Sequence, residues 1–205
     1  HSAISVDVPS SETKYMQLLQ EWPSKVTAEQ ALLAKLQPDL VVSNISPITL
    51  AAAANLGIPS ISVCPFNWSQ ILTRYSHDSL LTLELIPLMN AAYASVTMAL
   101  KPRPHVPNHH CLKEMEIGPI CQAGKDQRDA LLKALQLGPE TKIGLIALGG
   151  MSVPLDLQRW PQKPNWVWLV DQAPPTVRPD MHHYQDTQLA FLNLMFSVDV
   201  VITKP

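Results

Sequence analysis

The sequence predicts an α/β protein whose sheets are parallel and whose chain divides into two parts. Three observations carry that prediction. Apolar strand-like runs such as "KIGLIAL" and "DVVIT" are continuous rather than alternating, as in strands covered on both faces. Helical and strand-like patterns follow one another through very short connections, and a parallel pair requires such a crossover. A proline-dense stretch without periodicity, residues 101–119, separates two such alternations. With 205 residues and 46% hydrophobic content, the chain can fill one large core or two modest ones.

In the first part, "TAEQALLAKLQPD" reads as an amphipathic helix that turns Leu32, Leu33 and Leu36 inward and ends at Pro38. "LVVSN" is a short apolar strand. A helix over "ISPITLAAAANLGIP" follows, with Ser46 placed to cap it, Pro47 at its first position and Gly57 to stop it. "SISVCPFNW" is the next strand, and the three together make a βαβ unit, so this half reads as Rossmann-like. Residues 80–100, which carry Glu84, Pro87 and Asn90, read as a core helix interrupted at Pro87. The second part opens with "DQRDALLKALQLG", a helix closed by Gly138. "KIGLIALGGM" is a strand running into paired glycines, and "NWVWLVDQAPPT" adds a strand and a rigid loop. The last residues supply a helix with Leu189, Leu192 and Phe196 inward, then a strand over 199–203. The expected division is residues 1–121 and 122–205. A buried parallel strand has to hand the chain to a loop covering its end, so a ligand loop is expected after Pro205, and the chain is expected to be the middle of a larger enzyme.

A formal net charge of −2 without any basic run offers nothing to a phosphate backbone, so nucleic acid is not an expected partner. The apolar region 80–100 is broken by polar residues and proline, so no membrane span is expected. Cys64, Cys111 and Cys121 form no CxxC pair and are odd in number, which suits reduced thiols and a cytoplasmic protein. "HVPNHHC", with His105, His109, His110 and Cys111, lacks helical ligand spacing and reads as a solvated linker, so no metal is expected.

Ligands of open parallel sheets bind outside the carboxyl ends of the strands. The residues there are Asn44 and Ser46, then Phe66, Asn67 and Trp68, then Gly149, Gly150, Met151 and Ser152, then Asp171 and Gln172, then Lys204. They are polar and mostly uncharged, which suits a hydroxyl-rich or phosphate-bearing ligand. Gly149 and Gly150 either let the backbone approach a phosphate or form a tight turn that touches nothing. Ser46 and Asn67 have a second reading as helix caps, Trp68 as a side chain packed under the following helix, Asp171 as the start of a turn and Lys204 as a solvated strand end. No Ser-His-Asp order and no catalytic carboxylate pair can be assigned, so the catalytic residues are unknown.

Trp22-Pro23, Pro38-Asp39-Leu40-Val41-Val42-Ser43, the alanine helix ending in Gly57-Ile58-Pro59, and Phe66-Asn67-Trp68 form a pattern across the first half. Arg128, Leu137-Gly138, Gly149-Gly150 and Asp199-Val200-Val201-Ile202-Thr203-Lys204-Pro205 continue it across the second. The pattern resembles glycosyltransferase-like proteins of the GT-B fold related to the N-terminal region of L-arabinokinases. The resemblance implies two Rossmann-like domains and transfer of a sugar from a nucleotide-sugar donor, UDP-linked, with no further cofactor and no metal. It places Gly149, Gly150, Met151, Ser152, Asp171, Gln172 and Lys204 on the donor side, and Asn44, Ser46, Asn67 and Trp68 in the acceptor-side cleft. It also implies glycine-rich loops before His1 and after Pro205. Nucleotide-sugar epimerases share the fold, and a non-catalytic sugar- or nucleotide-binding regulatory module is the third reading. A periplasmic-binding-protein-like receptor is the rival outside this group.

Overall fold

A computed structural model of the chain describes residues 6–78, 80–107, 111–149, 155–171 and 178–203. The protein is a mixed α/β structure with two four-stranded parallel sheets, one in each of two compact units. The first unit comprises residues 7–120 and the second is built on residues from Cys121 onward.

In the first unit, strands β1 (Val41–Ser43), β2 (Ser60–Val63), β3 (Met98–Pro102) and β4 (Glu114–Ile117) lie side by side in chain order. Val41 pairs with Ser60, Ile61 with Met98 and Ala99 with Glu114. Right-handed crossovers that step always in one direction lay their helices on one face of the sheet. Burial follows that rule: Val41, Ser43, Ser60, Ser62, Ala99 and Lys101 are buried, whereas Val42 and Met115 on the other face are 62% and 50% exposed. Against the covered face pack α1 (Val8–Leu36), α2 (Pro47–Asn55), α3 (Trp68–Tyr75) and α4 (Ile86–Ala94), around a core of Trp22, Leu50, Leu81, Leu85, Met89 and Tyr93.

Helix α1 starts far earlier than the sequence pattern suggests. The Asp7 side chain accepts from Ser10 N–H at 3.1 Å, and the helix runs through Pro23 to a left-handed Gln37. Of the three leucines expected inward only Leu33 is buried; Leu32 and Leu36 face solvent because Trp22 and Val26 supply the rest of the inner face. A π-helical turn, Leu81–Leu85, runs directly into α4 and absorbs Pro87, so the expected interruption is a widened turn. Residues 101–119 are not a passage between domains. They hold the end of β3 and all of β4, an edge strand whose Glu114 and Glu116 made it read as polar linker and protect the sheet's rim.

The second unit has strands β5 (Lys142–Ile146), β6 (Trp166–Val170), β7 (Met181–His183) and β8 (Val200–Ile202) in the spatial order β7-β6-β5-β8. Here both faces are covered. Leu131, Leu132, Ile143, Leu145, Leu169 and Leu194 form one core with α5 (Arg128–Ala134) and α6 (Phe191–Ser197), while Ile146, Leu157, Trp168, Val170 and Met181 form another. That explains the continuous apolar runs in β5 and β6. Helix α5 ends at Ala134, with Gln136 rather than Gly138 left-handed just beyond it, and α6 buries Leu194 while Phe196 is exposed. Arg178 is buried and acts as a clamp: it pairs with Asp180 and donates to the carbonyls of Leu157, Gln158 and Trp160. Among the described residues no helix is long and apolar enough to cross a membrane.

Two measurements test this packing. A Cβ on Gly144 would collide with the ring of buried Trp168 on the paired strand, whereas Gly138 has open space around it. Gly144→Ala should therefore cost about 1–3 kcal/mol in urea unfolding, and Gly138→Ala less than about 0.5 kcal/mol. Asp199 stands before β8 and accepts from Ile143 N–H, Lys142 Nζ and Arg128 Nη1, each at 2.9 Å. Burial pushes its carboxyl up, but the bonds from Ile143, Lys142 and Arg128 outweigh it and hold the group at about 2. A folded-state value below the unfolded one of about 3.9 stabilises the fold above that pH, and the contribution is lost as pH falls from about 4 to about 2. Asp199→Asn should destabilise at neutral pH by about 1–3 kcal/mol and flatten the acid limb of the stability curve, read by denaturant titration at several pH values.

Candidate functional site

The carboxyl ends of β1 and β2 in the first unit are joined by one side chain. Tyr93, on α4, is buried and donates its hydroxyl to Ile45 carbonyl at 2.8 Å while accepting from Trp68 N–H at 3.3 Å. Burial pushes the phenol up, so it remains protonated and can act as donor and acceptor together. Ile45 has φ +69°, a left-handed conformation that a β-branched residue adopts only at an energetic cost. Two contacts hold it there besides Tyr93: Ser43 Oγ donates to Ser46 carbonyl, and Ser46 N–H donates back to Ser43 Oγ, both at 3.2 Å. Asn44, just before the strained residue, is exposed.

The residues singled out on the acceptor side separate here. Asn44, Ser46 and Trp68 come together with Tyr15 around a depression of about 290 Å³. Ser46 occupies the N-cap position of α2 but makes no capping bond; its hydroxyl contacts Thr49 Oγ1, which donates to Glu29. Trp68 is 38% exposed and meets Phe66 edge-on at 5.9 Å, so it is not packed under its helix. Asn67 does not face the cleft. It is fully buried and completes a capping box with Gln70, its Oδ1 accepting from Gln70 N–H at 2.9 Å and from Ser69 Oγ at 2.7 Å, because the first turn of α3 needs an acceptor there.

On the other side of Asn44 lies a second depression, of about 610 Å³, walled by Val63, Pro65, Pro102, Arg103, Pro104, Pro119 and Ile120. Arg103 is committed to Glu116 through Nε and Nη2, and the other oxygen of Glu116 contacts His105 Nε2 at 3.0 Å. Those bonds hold the Glu116 carboxyl below the usual range. Lys101, buried beneath, pairs with Glu114. Of the residues in "HVPNHHC", His105 is thus engaged, Cys111 donates to the Val96 and Lys113 carbonyls, and His109 and His110 lie outside the described residues. Among the described residues no group of three or more His, Cys, Asp or Glu could hold a metal ion.

In the second unit the strand order reverses between β5 and β8, which is where open α/β sheets take their ligands. Gly149, three residues beyond β5, has φ +81°, a conformation that favours glycine. Asp171 follows β6 directly and is exposed; its carbonyl contacts His183 Nε2 at 3.2 Å. Gly150, Met151, Ser152, Gln172 and Lys204 lie outside the described residues. Sequence reasoning missed Tyr93, Tyr15, Ile45 and Arg103. Tyr93 could have been noticed as the only aromatic in an otherwise small and apolar segment, "NAAYASV"; a positive φ at isoleucine leaves no trace in the sequence.

No protein-family model matches the chain, and comparison with curated proteins finds no match.

The loop geometry yields its own test. Tyr93→Phe keeps the ring packing but leaves the Ile45 carbonyl and Trp68 N–H without their partner. It should cost about 1–2 kcal/mol in urea unfolding and shift the emission of Trp68, isolated by subtracting the Trp68→Phe spectrum. Unchanged emission and stability would mean that the hydroxyl does not hold the two loops.

Proposed function

We propose that the chain belongs to a glycosyltransferase-like protein of GT-B type that transfers a sugar from a nucleotide-sugar donor, UDP-linked, to an acceptor hydroxyl. The second unit holds the donor and the first holds the acceptor. The observation that carries the reading is the strand reversal beside Gly149: a parallel sheet with its switch point next to a positive-φ glycine favours backbone approach to a diphosphate. On this reading Gly149, Gly150, Met151 and Ser152 are assigned to the phosphates, Asp171 and Gln172 to the nucleotide, and Lys204 to the same donor. In the transfer, the bond from the anomeric carbon to the diphosphate breaks, the acceptor oxygen forms the new bond, and its proton passes to a base. Backbone N–H groups stabilise the leaving diphosphate. Asn44, Ser46 and Trp68 orient the acceptor.

One observation favours a second reading, a non-catalytic binding module. Among the described residues, the walls of the two depressions that share Asn44 carry no carboxylate and no imidazole, so neither supplies a general base.

Calorimetry with UDP and a panel of nucleotide sugars should show micromolar binding of one nucleotide. Gly149→Val, which forces a β-branched residue into positive φ, should weaken that binding by about tenfold or more while the far-ultraviolet dichroism stays unchanged. Equal affinity in the variant would remove Gly149 from the donor site. Silence of the folded protein across the panel would exclude the transferase, and binding without turnover over an acceptor panel would select the module.

A further inference from the structure

Two depressions of the first unit share one wall, Asn44; both are largely apolar, and they differ in the groups set among the apolar ones. On one side stand the exposed face of Trp68, the half-buried Tyr15 and the hydroxyl of Ser46. An aromatic platform with a hydroxyl and an amide beside it suits the C–H face and hydroxyl rim of a sugar ring. On the other side stand four prolines with Val63 and the exposed Ile120, and the single charged side chain among them, Arg103, is already paired with Glu116. An anion would find that cation neutralised, whereas an apolar group finds rigid apolar walls that lose little freedom on binding. Asn44 itself is set between the two by the left-handed Ile45 and the Tyr93 bond behind it.

The geometry points to one two-part site, with Asn44 at its centre, for a neutral glycoside: the sugar ring lies on Trp68 and the apolar aglycone lies among the prolines. This inference rests on the acceptor-side reading of the first unit and names the acceptor's class, an uncharged amphipathic glycoside.

The test uses the 205-residue chain and fluorine NMR, with para-fluorophenyl β-glucopyranoside, para-fluorophenol and the free hexose as probes, the hexose read by competition. Joining two fragments that bind adjacent subsites makes the second contact intramolecular, so the glycoside should bind at least about tenfold more tightly than the better of its halves. Asn44→Ala should reduce that advantage severalfold. Trp68→Leu should weaken glycoside and hexose but spare the phenol, and Ile120→Ser should weaken glycoside and phenol but spare the hexose; far-ultraviolet dichroism and thermal unfolding of each variant check that the fold is kept. A glycoside no tighter than the phenol alone, or variants that weaken all probes alike, would overturn the two-part site. If a nucleotide sugar binds and the glycoside does not, this inference fails while the transferase reading stands. If the glycoside binds with the expected pattern and no nucleotide sugar does, the site stands and the transferase reading falls.

Discussion

The hydroxyl of Tyr93 is the constraint on which the first unit's site depends. It reaches from α4 to two loops that leave different strands, accepting from one backbone and donating to the other. A buried carbonyl or N–H without a partner costs about 1–3 kcal/mol, so the bond is enforced chiefly by the penalty for breaking it. An ion pair in the same place would weaken with salt or pH. A phenol kept protonated by its burial does neither. The left-handed Ile45 persists because Tyr93 on one side and Ser43 on the other over-determine it, and its consequence is an Asn44 side chain standing at the rim.

The two sheets are built from the same units but are wound differently, and the difference decides which surfaces each leaves uncovered. In the first, strand order follows chain order, helices cover one face, and the small residues Ser60, Ser62 and Ala99 point toward them. The other face carries Val63 and Pro102, which wall the larger depression, so that site combines strand ends with a sheet face. In the second, the order reverses at β5 and both faces are packed. Trp168 illustrates how full that packing is: it occupies the space a side chain on Gly144 would need.

The strands β1, β2, β5, β6 and β8 were legible in the sequence because they are apolar and bounded by proline, glycine or asparagine. Strands β3 and β4 were not. Lys101, which is buried, meets Glu114 across that pair, and the ion pair spells out two charges where a strand pattern expects apolar residues. Helix α1 was legible only in its C-terminal third, the part read over "TAEQALLAKLQPD"; the structure carries it through Pro23, since a proline in a long helix can be carried when the surrounding packing compensates. At the site, Trp68 and Asn44 follow from their position after strands. Asn67 has the same position and the opposite fate, because it is buried and its amide oxygen is taken by the helix that it caps. Position after a strand therefore selects candidates, and only the competition with capping decides which of them a ligand can reach.

That competition extends to charge. Around β3 and β4 the ionisable groups are spent on one another: Lys101 on Glu114, Arg103 on Glu116, and His105 on the second oxygen of Glu116. These pairs fasten an edge strand that has little apolar surface of its own, since Glu114, Met115 and Glu116 are all exposed. The described site beside them is left with an amide, hydroxyls, aromatic faces and proline rings. Such a surface can orient a neutral ligand closely and can stabilise developing charge only weakly.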